Sequence, residues 1–265
     1  MSRTALITGG SSGIGLALSR RLAERGWRLL WVSLDEAELA GSVETLRADY
    51  PEVQIETLAL DLAQDDAAPR ILQWAKGNSD VELLINNAGF GIYGPSNTLD
   101  PAAEDKMVSV NVRAMHALTR AFLTVMEDAG RGTIVNIASN SAFTPAPNLA
   151  IYAATKAFVR HYTEALYDEL AVAGSPVRVM TVCPSAVADT PFKDRAAMGR
   201  VRTFSSFTST TADEVARDTL KGLDQGKRLV VTGAAMRRAL ILMKLAPAPL
   251  IRWLTRRETA ELGGS

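Results

Sequence analysis

The feature that most constrains this chain is a regular change of hydrophobic period. Short runs rich in Leu and β-branched residues occupy residues 4–8, 29–33, 54–60, 83–86, 133–138, 177–183 and 229–232. Between them lie longer stretches of helical spacing, residues 14–25, 35–48, 67–76, 102–127, 151–172 and 212–223. Strands that alternate with helices of this length are joined by crossovers, which makes neighbouring strands parallel. Nearly continuous apolar strands belong to a sheet with helices on both faces. The expectation is a doubly wound α/β fold with a parallel seven-stranded sheet. It forms a single domain over residues 1–233, followed by an extension over residues 234–265. No internal repeat or low-complexity linker divides the 265 residues, a length that single α/β domains reach.

Punctuation agrees with this reading. Gly26 and Gly130 follow helical stretches, where a left-handed C-cap is common. Asp35-Glu36-Ala37-Glu38 and Thr211-Ala212-Asp213-Glu214 have the form of capping boxes. Pro184 ends the sixth run because it has no N–H to donate. Residues 185–210 are polar, carry Pro191 and Gly199, and follow a strand's C-terminal end. Ligands in open α/β sheets bind at that edge, so this segment is a candidate lid.

Composition excludes several functions. Lys plus Arg and Asp plus Glu both total 29, and a surface built for nucleic acid needs an excess of base. One cysteine, Cys183, allows no internal disulfide and suits a reducing compartment. With only His116 and His161 beside it, a His/Cys zinc site is not expected. Met1-Ser2-Arg3-Thr4 enters a strand-like run without a signal-peptide pattern, and no run reaches the roughly 18 apolar residues of a membrane span. A cytoplasmic protein is expected, with membrane association at most peripheral.

The first strand leads through Thr8-Gly9-Gly10-Ser11-Ser12-Gly13-Ile14-Gly15 directly into a helix. Glycines let the backbone turn tightly and approach a ligand. The helix start adds unpaired N–H groups and partial positive charge, which suits a pyrophosphate. Asp61-Leu62 follows the third strand and Asn86-Asn87-Ala88-Gly89 the fourth, both at edges facing a bound dinucleotide. Asp61 is placed to accept from an adenine amino group, Asn86 to stitch strands, and Gly89 to admit a ribose. Each also suits an ordinary turn.

Tyr152 and Lys156 are four apart at the start of a helical stretch, so they share a face. A free phenol titrates near about 10, and a neighbouring cation lowers that value. Tyr152 is then a candidate general acid or base. Ser139 closes the fifth strand run, where its hydroxyl can hold a reacting oxygen against Tyr152. Asn111 is a polar residue in an apolar helical setting.

These motifs, in this order, resemble the short-chain dehydrogenase/reductase superfamily over roughly residues 3–233. The resemblance implies a Rossmann-type domain that binds NADP or NAD. It implies that Tyr152 is the catalytic acid/base, that Lys156 lowers its pKa and binds the nicotinamide ribose, that Ser139 orients the substrate oxygen, and that Asn111 holds a water in a proton relay. Gly9, Ser11, Ser12, Gly13, Ile14, Gly15, Ser33, Asp61, Leu62, Asn87, Ala88, Gly89, Pro184 and Thr190 are the other residues expected at the cofactor. The chain departs from the family after the sixth strand. Ser185 replaces the usual Gly after Pro184, and Thr190, expected at the nicotinamide carboxamide, comes one residue late. Ser33 stands where NAD-preferring members carry Asp, Leu34 where NADP-preferring members often carry Arg, and Ser12 where some NADP users carry a base. Asp35 reads as a helix cap. An uncharged Ser33 tolerates a 2′-phosphate, so the balance tilts slightly to NADP.

Phe90, Ile92, Tyr93, Ala142, Phe143, residues 145–149, Phe192, Met198, Phe204 and Phe207 are candidates for an apolar substrate pocket. A mainly apolar alcohol or carbonyl compound fits them. The stretch 234–257 carries Arg237, Arg238, Lys244, Arg252, Arg256 and Arg257 and no acid; without these six the chain holds 23 basic against 29 acidic residues. Pro247 and Pro249 split it into two short helices. It suits a membrane interface, a cover for the pocket, or a partner subunit. By analogy the protein is a homodimer or homotetramer joined through residues 102–127 and 151–172. Alternatives to an oxidoreductase are an epimerase or lyase using the same Tyr and Lys, or a non-catalytic dinucleotide sensor.

Overall fold

A computed structural model describes residues 3–243 and 245–261; Lys244 and the ends of the chain lie outside the described residues. The strands are β1 (Thr4–Thr8), β2 (Arg28–Ser33), β3 (Ile55–Ala59), β4 (Val81–Asn86), β5 (Gly132–Ile137), β6 (Val177–Cys183) and β7 (Leu229–Val231). They form one parallel sheet in the order β3-β2-β1-β4-β5-β6-β7. Each expected strand is present, with ends within two residues.

Alternate side chains of each strand serve opposite faces. Leu6, Leu30, Leu84, Ile134 and Val179 pack against α3 (Ala67–Asn78), α5 (Met115–Asp128) and α6 (Ala150–Ala173). Ile7, Trp31, Ile85, Val135 and Met180 pack against α1 (Gly13–Glu24), α2 (Glu36–Asp49) and α8 (Ala212–Asp224). Burial on both faces explains why the strands read as unbroken apolar runs.

Gly26 and Gly130 adopt left-handed φ after their helices. Thr211 caps α8 with both bonds of a capping box. Asp35 caps α2 by accepting from Glu38 N at 2.8 Å, but the Glu38 carboxylate turns away from the cap. The stretch expected as one uniform helix over 102–127 is α4 (Pro101–Val108), a π-helical turn (Ser109–Ala114) and α5. The lid holds a short helix, α7 (Phe192–Arg195), and a 3-10 turn (Arg202–Ser205). Its base is pinched by Ala188 N to Thr210 O at 3.0 Å and Thr210 N to Ala186 O at 2.9 Å. The extension forms α9 (Ala234–Met243) and α10 (Ala248–Glu258).

Candidate active site

A cleft of about 770 Å³ runs along the C-terminal ends of the strands. It spans the switch point between β1 and β4, where the sheet order reverses. Every residue expected at the cofactor borders it except Gly15. Gly15 packs behind the loop: a Cβ there would stand 2.0 Å from the Gly9 carbonyl oxygen. Only glycine permits this approach of helix to loop.

The loop's conformation suits a pyrophosphate. Ser12 is the N-cap of α1 but forms no side-chain cap bond, and no acidic residue lies in the first turn. The first N–H groups of α1 are therefore available to an anion. The loop is fixed from β4: Asn87 Nδ2 donates to Thr8 O and Gly9 O, both at 3.0 Å. Thr8 Oγ1 accepts from Asn87 N at 3.1 Å and Ala88 N at 3.0 Å. Asn87 thus braces the loop with its side chain. Asn86 stitches the sheet as expected, its Nδ2 donating to Asn136 Oδ1 at 2.8 Å and Thr119 Oγ1 at 3.1 Å.

Asp61 borders the adenine end, but its carboxylate is already engaged. Lys106 Nζ donates to it at 2.9 Å and Ala63 N at 2.9 Å. The Lys106 bond, then the Ala63 bond, hold its pKa below the usual range against burial. Thr190 turns its hydroxyl to Val187 O at 3.3 Å and packs its methyl near Gly13. Ser185 Oγ bonds Thr210 Oγ1 at 3.0 Å across the lid base.

Deeper in the cleft, Tyr152 and Lys156 lie one turn apart on α6, with the Lys156 Nζ 5.9 Å from the Tyr152 ring centre. Lys156 is buried and donates to Ile137 O at 3.0 Å. Ser139 sits just past β5 and borders the cleft together with Tyr152; its hydroxyl donates to Asn140 Oδ1 and accepts from Ser141 N, both at 3.2 Å. Among the protein's own groups burial dominates both titrations. The phenol is pushed up to about 12 by burial, partly opposed by the nearby Ser139 hydroxyl; the ammonium is pushed down to about 8 by burial. Burial therefore opposes the lowering of the phenol expected from the neighbouring cation.

Asn111 stands one layer behind the cleft wall, in the π turn. Its Nδ2 donates to Phe90 O at 2.9 Å and Thr155 Oγ1 at 3.2 Å, while its Oδ1 accepts from Phe90 N at 3.1 Å. Gly89 separates it from the cleft: a Cβ there would meet Asn111 Oδ1 at 2.9 Å and Lys156 Nζ at 3.2 Å. Ser141 Oγ is buried at the cleft with no protein partner among the described residues.

Phe90, Ala146, Leu149, Phe192, Met198 and Phe204 line the cleft as expected. The other eight candidates, Ile92, Tyr93, Ala142, Phe143, Pro145, Pro147, Asn148 and Phe207, do not. Phe207 is 83% exposed, and Phe143 stacks under the Arg160 guanidinium at 4.0 Å. Tyr93 donates its hydroxyl to Thr259 O at 2.7 Å, and Ile92 does not reach the cavity. The roof comes instead from the extension, whose Met236, Leu240, Met243 and Leu254 face inward. Arg202 N to Ala260 O at 3.1 Å ties the roof to the lid. Glu38, Lys106 and Arg195 also border the cleft and were missed in the sequence. Glu38 carried a signal, a carboxylate at the third position of a helix, but a cap explains that equally well.

Residues 3–200 match the short chain dehydrogenase family. A very-long-chain 3-oxoacyl-CoA reductase from Danio rerio is 32% identical over 192 residues, 71% of this chain and 59% of the relative. The chain thus spans under two thirds of that relative. A sulfoacetaldehyde reductase from Chromohalobacter salexigens is 33% identical over 72% of this chain and 75% of its own. Among solved structures, a short-chain dehydrogenase from Sphingobium yanoikuyae in complex with NADPH has a TM-score of 0.79 and 29% identity, covering 94% of this chain and 95% of its own. One from Burkholderia phymatum in complex with NAD has a TM-score of 0.81 and 26% identity, covering 99% and 98%. The glycine-turned first helix, the sheet order and these matches agree, and the chain belongs to the short-chain dehydrogenase family.

Proposed function

We propose that the protein is an NAD(P)-dependent oxidoreductase that interconverts an alcohol and a carbonyl group on a mainly apolar small molecule. The observation that carries this reading is the meeting of Ser139, Tyr152 and Lys156 at the deep end of a cleft whose other end is an uncapped, glycine-turned helix start. The names of the relatives, reductases and dehydrogenases solved with NADPH or NAD, support it.

A bound nicotinamide would supply the site that gives or takes a hydride. The chain's own residues do the rest. The loop 9–14 holds the pyrophosphate, with Leu62, Ala88, Gly89 and Pro184 along the remaining wall. Ser139 holds the substrate oxygen, and Tyr152 gives it a proton in reduction or removes one in oxidation. A phenol near 12 holds its proton at neutral pH, as the acid of a reduction must, and taking a proton in oxidation needs positive charge beside it. Lys156 brings an ammonium to one side of the ring, and the positive charge of an oxidised nicotinamide, when bound, would add to it. Asn111 acts from behind the wall by fixing the Phe90 backbone and, through Thr155, the first turn of α6. The α9–α10 roof and Phe204 keep water from the apolar end.

Partners belong to the same proposal. Val108 and Phe158 are exposed apolar residues on α4 and α6, the face expected to join subunits. Ile241, Leu242, Leu245, Leu250 and Trp253 are exposed on the outer side of the extension, among its arginines, which suits peripheral contact with an anionic membrane surface. Among the described residues no helix is long and apolar enough to cross a membrane. A cytoplasmic location rests on Cys183, a lone buried thiol.

The test is Tyr152→Phe, with NAD(P)H absorbance followed across a panel of apolar ketones and aldehydes. Turnover should fall by roughly 10²- to 10⁴-fold while cofactor binding persists. Undiminished turnover defeats the mechanism. Wild-type binding without turnover across the panel favours a sensor, and conversion without cofactor absorbance change favours an epimerase or lyase.

A further inference from the structure

At the end of β2, where the adenosine ribose of a dinucleotide lies, Ser12, Ser33 and Leu34 offer no positive charge. The fold brings one from far along the chain. Arg195, the last residue of α7 in the lid, reaches this edge of the cleft and pairs with Glu38. Glu38 is itself fixed: Ser11 Oγ donates to Glu38 Oε1 at 2.6 Å and lies 3.0 Å from Ser33 Oγ. Burial would raise the Glu38 pKa, but the bonds from Ser11 and Arg195 outweigh it and keep the group anionic. The Arg195 side chain remains 59% exposed, so it is held by charge and not by packing.

Resting on the dinucleotide reading above, we propose that Arg195 reads the 2′-phosphate of NADP, and that Glu38 is a competing anion that occupies the guanidinium at the ribose end and that the phosphate must displace. A guanidinium fork matches a phosphate with two parallel bonds, and a phosphate dianion carries more charge than the carboxylate it displaces. NAD presents only a neutral hydroxyl there, so the Arg195–Glu38 pair stays closed. NADP affinity then depends on Arg195 and NAD affinity does not. After the exchange Glu38 is an uncompensated anion near the phosphate, so it opposes NADP mildly.

The experiment uses the full chain as wild type, Arg195→Gln and Glu38→Gln. Calorimetry measures adenosine 2′,5′-bisphosphate and adenosine 5′-monophosphate, and fluorescence titration measures NADPH and NADH without substrate. Arg195→Gln should weaken the bisphosphate and NADPH by about tenfold or more and leave the monophosphate and NADH within about twofold. Glu38→Gln should tighten the bisphosphate and leave the monophosphate unchanged. Equal weakening of all four by Arg195→Gln overturns the proposal in favour of a general lid tie, and so does no change at all. Selective loss of the monophosphate and NADH in Glu38→Gln overturns it too, because Glu38 would then be reading the free 2′-hydroxyl. If NADH and NADPH bind but Arg195→Gln does not separate them, this inference fails and the oxidoreductase reading stands. If neither binds the wild type, both fail.

Discussion

Lys156 carries a charge into a place that water does not reach. It is 5% exposed, it donates to Ile137 O at 3.0 Å, and its pKa falls from 10.5 to about 8 because burial disfavours the ammonium. That interval corresponds to about 3 kcal/mol. Below pH 8 the folded and unfolded chains both hold the proton, and the burial penalty is felt in full. Between about 8 and 10.5 the unfolded chain holds a proton that the folded chain has lost, so stability rises with pH. Above 10.5 the penalty is gone. Lys156→Met removes the titration while keeping the length of the side chain. The free energy of unfolding of the wild type, minus that of Lys156→Met, should therefore climb by about 3 kcal/mol across this window. The lost bond to Ile137 O, about 1 kcal/mol, changes the offset of this difference but not its slope. Tyr152 and Cys183 have folded values near 12 and act with the opposite sign, lowering stability at high pH. Both are present in both proteins and largely cancel in the difference. Urea unfolding of the two proteins at pH 7, 8, 9 and 10 measures it. A difference that stays flat across those four points refutes the reasoning, because Lys156 would then be as well solvated in the fold as outside it.

Gly15→Ala places a methyl 2.0 Å from the Gly9 carbonyl, which must displace backbone. NAD(P)H affinity should fall about tenfold or more, with a lower thermal midpoint; binding that matches wild type in a titration argues that the loop does not hold the pyrophosphate. The outer face of α9–α10 should bring the protein up with anionic vesicles in a flotation gradient at low salt and release it at high salt. Replacing Arg252, Arg256 and Arg257 by Gln should abolish the association. Absence of flotation with anionic vesicles at low salt removes the membrane proposal.

The sheet was legible because its strands are buried on both faces, so apolarity alone marks them, and the helices between fix their parallel order. The placing of Tyr152, Lys156 and Ser139 was legible for a related reason: helical spacing puts two on one face, and a strand end meets the next helix start at the sheet's edge. Direction within the apolar set was not legible. Phe192 and Phe207 look alike in sequence, yet one lines the cleft and the other is largely in solvent. Phe143 was drawn away by Arg160, a contact that no local pattern encodes. The extension stayed ambiguous because an amphipathic helix pair can roof a cleft with one side and meet a surface with the other. Glu38 and Arg195 escaped notice because a pair 157 residues apart exists only once the lid has folded back over β2.

The π turn shows how the site draws on the rest of the fold. An α-helix advances 100° per residue, so the extra residue in a wider turn rotates everything on one side of it. Without Ser109–Ala114 in that form, Asn111 and the apolar stripe of α5 could not both keep their faces. Leu118, Phe122 and Met126 must stay on the sheet, while Asn111 must face Phe90 and Thr155. A weaker helical turn is the cost of satisfying both, and the three bonds from a fully buried amide offset it. Those bonds fix the backbone beside Gly89, against which the Lys156 amine rests. The position of the amine, and through it the electrostatics around the Tyr152 phenol, is therefore set partly by an irregular turn in a neighbouring helix, whose Lys106 and Val110 border the cleft.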